Sequence, residues 1–301
     1  MKIKTLLAST AIALLAVFSP ALAETELTIA TVNNPDMVVM QKYSAEYEKA
    51  SGVKLKWLVL DENTLRQRVT TDIATKGGQF DIITIGLYET PIWGKAGWLL
   101  PFENMSEAYD AGDILPTVKD ALSYEGKMYS VPFYAESAFT FYRKDLFEKA
   151  GLTMPANPTW TQITEFASKL HDPANGMAGI CIRGLPGWGE NMALLGLMGN
   201  VYGGSQFNMD WTSAVNSPEW NNAINAYVNL ASKYGPPGVV GNGFNENLNL
   251  LANNGCAMWN DATVAAGLLF DPKRSKVADK LAIAPNTIET FEKGGTWLWA
   301  W

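Results

Sequence analysis

Two periods of apolar and polar positions alternate along this chain. Residues 27–31 carry an apolar, β-branched run that predicts a first strand. Asn34-Pro35-Asp36 follows with the form of a helix start, Asn34 as cap and Pro35 in the first helical position. Met37, Met40, Tyr43, Tyr47 and Ala50 then recur at helical spacing until Gly52. Residues 53–59 read as a second strand. Asp61-Glu62-Asn63 opens a helix whose apolar stripe is Leu65, Val69 and Ile73, ending at Gly77-Gly78. Residues 80–85 form a continuous apolar run, the pattern of a third strand buried on both faces. Further on, helices are predicted over 160–170, 188–198 and 218–234, and strands at 179–183, at 256–259 after a lead-in over 244–253, and at 281–284. Strands alternating with helices argue for an α/β architecture. There is no internal repeat and no low-complexity linker.

The window 129–152, YSVPFYAESAFTFYRKDLFEKAGL, is the most specific stretch. An apolar segment breaks at Val131-Pro132, a strand runs through Ala138-Phe139-Thr140-Phe141-Tyr142, and Arg143-Lys144-Asp145 turns into a short helix closed by Gly151. Glu136 stands alone between apolar runs, where an unpaired carboxylate is costly. It is either a solvated residue at a strand edge or a side chain facing a cleft between two lobes. In its ordered proline, acid, strand, Tyr-x-x-Asp-Leu-Phe and Ala-Gly-Leu, the window resembles the crossover segment of bacterial extracellular solute-binding proteins, the ligand-capturing subunits of ABC importers.

The amino terminus is consistent with export. Lys2 and Lys4 precede an apolar core at residues 6–18, and Ala21-Leu22-Ala23 supplies a small-x-small site before Glu24, so residues 1–23 read as a signal peptide and the mature chain as periplasmic. The formal net charge is −7, and losing the leader removes two lysines and no acid. Such a balance argues against nucleic acid or anionic lipid as a partner. Catalytic signatures are absent: no G-x-S-x-G, no phosphate loop and no G-x-G-x-x-G after a strand. His171, the one histidine, excludes a multi-histidine metal site and, beside Asp172-Pro173, reads as part of a surface turn. Cys181 and Cys256 lie on two predicted strands without metal-ligand spacing. They either pair in an oxidising compartment or remain buried thiols.

Open α/β sheets bind ligands at the carboxyl ends of their strands. Asn33, Asn34 and Asp36 follow the first strand, Glu62 and Asn63 the second, and Gly86, Tyr88, Glu89 and Trp93 the third. Arg183, then Trp188 and Glu190, follow one strand of the second half, and Asn260 with Asp261 follow another. Carboxylates and Arg make charge-assisted hydrogen bonds to hydroxyls, and aromatic rings cover the C–H faces of a sugar or polyol. The recurrence of that chemistry at successive strand ends is the functional signal.

Five further stretches, among them GICIRGLPGWGENMA, GCAMWNDATVAAG and GGTWLWAW, are similar to the sugar-binding branch of the family, most of all to its sorbitol- and mannitol-binding members. The resemblance implies a type II-like fold of two α/β lobes, each a central sheet flanked by helices, joined by crossover strands. Residues 24–134 would form the first lobe, 135–296 the second, and 297–301 the start of a return crossover. It implies ligand-binding positions at Asn34, Asp36, Tyr88, Glu89, Glu136, Arg183, Trp188, Asp261 and Trp297, to which the strand ends add Glu62 and Glu190. It also implies a monomer without cofactor or metal that passes a polyol or sugar to membrane permease subunits. Two other classes stay open: a periplasmic glycosidase or lyase using Glu89 and Glu136 as an acid/base pair, and a chemotaxis receptor. Because the sequence stops within the apolar run Thr296-Trp297-Leu298-Trp299-Ala300-Trp301, a further stretch of chain completing both lobes is expected, with exposed apolar surface in its absence.

Overall fold

A computed structural model describes residues 25–285 and 287–291. The leader assigned to residues 1–23, Trp297 and the return crossover at 297–301 lie outside the described residues. In the first lobe, β1 (Glu26–Val32) pairs in parallel with β2 (Lys54–Leu60) and with β3 (Ile82–Ile83), in the order β2-β1-β3. Asn34 Oδ1 accepts from the Met37 N–H at 2.9 Å and starts α1 (Pro35–Met40). Asp61 Oδ1 accepts from the Thr64 N–H at 3.0 Å and starts α3 (Glu62–Thr75); between them lies α2 (Ser44–Ser51), closed by Gly52 at φ 73°. Since β1 and β2 run the same way, both caps fall on one edge of the sheet, and the Asn33 N–H extends the ladder to Leu60 O at 2.7 Å. Ala30, Val32, Met37, Leu65, Val69, Ile85 and Trp93 form the core beneath.

Two expectations are corrected here, and one further element is added. The strand foreseen at 80–85 shortens to two residues, and Ile82 is 44% exposed, because β3 lies at the sheet edge with one partner among the described residues. The helix after Asn34 breaks at a 3-10 turn (Gln41–Tyr43), and the changed winding carries Met40, Tyr43 and Tyr47 to the surface while Met37 stays buried. Beyond α4 (Glu89–Lys95), a short α5 (Pro116–Ala121) leads into a hairpin of β4 (Ser123–Tyr124) and β5 (Lys127–Met128) that hydrophobic periodicity did not foretell. Glu125 and Gly126 turn it with positive φ, the chemistry of a two-residue hairpin loop.

The second lobe is built on β6 (Ala138–Arg143), antiparallel to both β7 (Met258–Ala262) and β8 (Leu281–Ala284) in the order β7-β6-β8. The pleat sends Ala138 and Met258 to one face and Phe141 and Trp259 to the other, and each face has its own core. The first core is covered by α6 (Lys144–Lys149), α7 (Trp160–Leu170), α8 (Asn191–Val201) and α9 (Pro218–Asn229). The second is covered by α10 (Phe244–Ala252) and α11 (Ala266–Leu269). Residues 179–183 do not form a regular strand. They run beside β7 through isolated parallel bridges at Ala178–Cys256 and Cys181–Trp259, because the Ile180 N–H turns away to Tyr234 O. Gly179 there packs so close to the Ala167 carbonyl that no Cβ fits.

Cys181 and Cys256 face each other across this pairing, joined as a disulfide with their Cα atoms 5.7 Å apart and both side chains fully buried. The unfolded but unreduced protein is therefore expected to show no free thiol, and reduction to lower stability by about 2–5 kcal/mol. A titre of two thiols before reduction would contradict the pairing.

Candidate functional site

The strand directions bring residues from both lobes to one cleft. From the first lobe, the carboxyl ends of β1 and β2 present Asn34 and Glu62. In the second, β6 and β7 are antiparallel, so Glu136, just before β6, and Asp261, near the end of β7, meet at one edge. The segment ending at Arg183 runs parallel to β7 and arrives at the same edge. Between them lies a cavity of about 270 Å³ whose wall includes Asn34, Glu62, Tyr134, Glu136, Arg183 and Glu190.

Arg183 organises the second-lobe wall. Its Nε and Nη2 donate to the two oxygens of Asp261 at 2.8 and 2.5 Å, and its Nη1 donates to the Gly189 carbonyl at 2.5 Å. Its own carbonyl accepts from the Tyr227 hydroxyl at 2.6 Å, and the guanidinium lies 5.1 Å from the Phe244 ring. Burial works against the Arg183 charge, and Asp261 more than restores it, holding the guanidinium above its ordinary value. Asp261, expected as a ligand residue, does not reach the cavity wall: it is buried behind Arg183, both oxygens committed.

Glu136 has a different environment. It is 9% exposed, and its Oε2 has no hydrogen-bond partner among the described residues. Burial pushes its carboxyl up to about 8, Arg183 opposing the shift and Asp261 and Glu62 adding to it. Glu190 is pushed up to about 7, first by burial, although Arg183 Nη1 lies 3.6 Å from its Oε2. Both carboxyls are thus placed to hold a proton near neutral pH and donate to a hydroxyl.

The lobes touch at the rim. Asn63 Nδ2 donates to Pro186 O at 3.3 Å, and Asn245 Nδ2 donates to Asn33 O at 3.2 Å. The Arg66 guanidinium, paired with Glu62 and Glu89, lies over the Trp188 ring at 4.2 Å, and Tyr88 meets the same ring at 5.7 Å. Gly187 and Gly189 allow this approach, since a Cβ on either would overlap Asn63 or Glu62.

Of the expected ligand set, then, Asn34, Glu62, Glu136, Arg183 and Glu190 come together at the cavity wall. Asp36, Tyr88, Glu89 and Trp188 do not. Tyr88 and Trp188 are 61% and 46% exposed and face each other at the rim, and Asp36 sits in the first turn of α1, outside the wall. Glu89 is spent on Arg66 and on the Gly86 N–H at 3.1 Å. Asn260, also at a strand end, is sealed inside the sheet against Thr140 and Thr287. Sequence reasoning passed over Tyr134, whose hydroxyl accepts from Asn34 Nδ2 at 2.7 Å, and Phe244 and Asn245 at the start of α10. Tyr134 carried a legible signal, lying two residues before Glu136 in the crossover window.

Residues 32–301 match the family of bacterial extracellular solute-binding proteins. A mannitol-binding protein of Pseudomonas aeruginosa is 51% identical over 280 residues, which cover 93% of this chain and 64% of that protein. The chain thus spans less than two thirds of that relative's length. An ABC transporter solute-binding protein of Agrobacterium vitis, solved with bound D-mannitol, superposes with a TM-score of 0.89 at 52% identity, over 92% of this chain and 67% of that one. A counterpart from Agrobacterium radiobacter in complex with ribitol gives 0.83 at 27% identity, over 92% and 70%.

Two substitutions separate bracing from closure. Arg183→Ala leaves Asp261 buried and unpaired and is expected to destabilise the protein by about 3–5 kcal/mol in urea denaturation. Gly189→Ala leaves both cores intact but displaces Glu62 from Arg66, so stability is expected to hold while ligand capture weakens. Equal loss of stability in the two variants would contradict this division.

Proposed function

The chain belongs to the bacterial extracellular solute-binding proteins, and on that footing we propose that it is the ligand-capturing component of an ABC importer, taking a linear sugar alcohol of the mannitol type. The observation that carries this reading is the polar, acid-lined cavity between two touching lobes, with Trp188 and Tyr88 meeting at its rim. Support also comes from the mannitol named for the Pseudomonas relative and for the Agrobacterium structure. In this reading the leader is cut after Ala23, the protein works in the periplasm as a monomer, and permease subunits of the inner membrane receive the ligand.

The mechanism is binding with no bond broken. Open and closed arrangements of the lobes interconvert, and the ligand favours the closed one because only there do both walls reach it. Asn34, Glu62, Glu136 and Glu190 supply acceptors and, when protonated, donors for successive hydroxyls, while Arg183 holds the wall in shape. An acid/base pair of Glu89 and Glu136 is disfavoured, because Glu89 stands off the cavity with both oxygens engaged.

Calorimetry against mannitol, sorbitol, ribitol, glucose and maltose tests the substrate class. Tight binding of the alditols and weak binding of the others is expected; tight binding of maltose alone, or turnover of any sugar on long incubation, would overturn the reading. A pH series adds an independent check. Glu136 is raised to about 8 in the closed cleft, and a solvated carboxylate in the open form lies near the ordinary Glu value of about 4.3. Closure therefore takes up a proton between those limits. Mannitol affinity should strengthen as pH falls below about 8 and level off above it; affinity that rises with pH would contradict the assignment.

A further inference from the structure

Charge is distributed unevenly around the cavity. Its wall carries five acids, Asp61, Glu62, Glu136, Glu190 and Glu246, against one base, Arg183. Each of the five acids has a protein partner. Asp61 caps the Thr64 N–H, Glu62 pairs with Arg66, Glu246 accepts from the Gly243 N–H, and Glu190 lies beside Arg183. Arg183 has three of its N–H donors committed to Asp261 and Gly189. Glu136 differs in being buried without an ion pair among the described residues: its carboxyl accepts from the Val264 N–H, and its Oε2, like that of Glu190, has no hydrogen-bond partner there. A buried carboxylate without a counter-ion must either hold a proton or receive a cation.

Taking the polyol-capture reading as its basis, we propose that this cleft selects its ligand by charge: it accepts an amino-alditol whose ammonium sits against Glu136, and refuses alditols carrying phosphate or carboxylate. An ammonium has three donors and no acceptor, which suits a lone carboxylate oxygen facing a row of acceptors. An anion at the same place would meet Glu62 from α3, Glu190 ahead of α8 and Asp261 from β7. The one guanidinium opposing them is already bidentate on Asp261. Mannitol and an amino-alditol share the remaining hydroxyl contacts and differ at Glu136. A neutral ligand requires Glu136 to be protonated on closure, whereas an ammonium takes the proton's place and leaves Glu136 ionised.

The test is calorimetry on the whole protein with D-mannitol, 1-amino-1-deoxy-D-mannitol and mannitol 1-phosphate. It is run at pH 6 and pH 8, in buffers of different ionisation heat. The amine is expected to bind, and its affinity relative to mannitol to rise by about tenfold or more between the two pH values, the direction set by proton linkage at a single carboxyl. At pH 6 mannitol should take up close to one more proton than the amine, and the phosphate should not bind. In Glu136→Gln the ratio of amine to mannitol affinity should lose its pH dependence. Mannitol binding without amine binding, a pH-independent ratio in the unmodified protein, or tight binding of the phosphate would each overturn the inference. Failure of mannitol itself would remove the functional reading beneath it, a distinguishable result.

Discussion

The second-lobe wall depends on one buried guanidinium. Arg183 ties the segment after Cys181 to β7 through Asp261, to the 185–190 loop through Gly189 O, and to α9 through Tyr227, with Phe244 of α10 against its face. Removing two charges from water costs several kcal/mol per ion, and only bidentate geometry with further hydrogen bonds compensates. The pair is thus weak evidence for added stability but a strong constraint on shape. With Arg183 fixed, the loop bearing Trp188 and Glu190 has one position, and the cleft has a wall. The disulfide between Cys181 and Cys256 secures the same segment from its other end.

Around that fixed wall the chemistry is set by burial. Glu136 and Glu190 sit where ionisation is penalised, so their carboxyls pass between donor and acceptor within the physiological range. A polyol presents hydroxyls that both donate and accept, and a cavity whose groups do both can match either orientation. The first lobe contributes the start of α1 and α3, which line the cavity opposite that wall, with rim contacts through Asn63, Asn245 and Trp188. In the proposed mechanism capture and closure are one event, because no single lobe carries the whole cavity wall.

Much of the architecture was legible where local chemistry decides. Asn34-Pro35, Asp61 and Gly52 mark helix ends by capping, and α7 and β8 fall where periodicity placed them. The segment at 179–183 and the third strand misled, because an apolar run says nothing about how many neighbours a strand finds. For the site, the rule of carboxyl strand ends brought forward Asn34, Glu62, Arg183 and Glu190, and the crossover window brought forward Glu136. It could not tell which acid faces the cavity and which is spent on a neighbour. Asp261 braces Arg183, Glu89 neutralises Arg66, and Tyr88 stacks at the rim. Those distinctions rest on pairings across 78 residues in the first case and 23 in the second, beyond any local pattern.

Capture by lobe closure is the claim on which the rest stands. The most direct test is the distance between spin labels on Lys49→Cys in α2 and Asn222→Cys in α9. Both positions are exposed, and both native cysteines are occupied by their bridge. Addition of mannitol should shorten and narrow the distance distribution, in step with the binding isotherm. Saturable mannitol binding with an unchanged distribution would contradict the account.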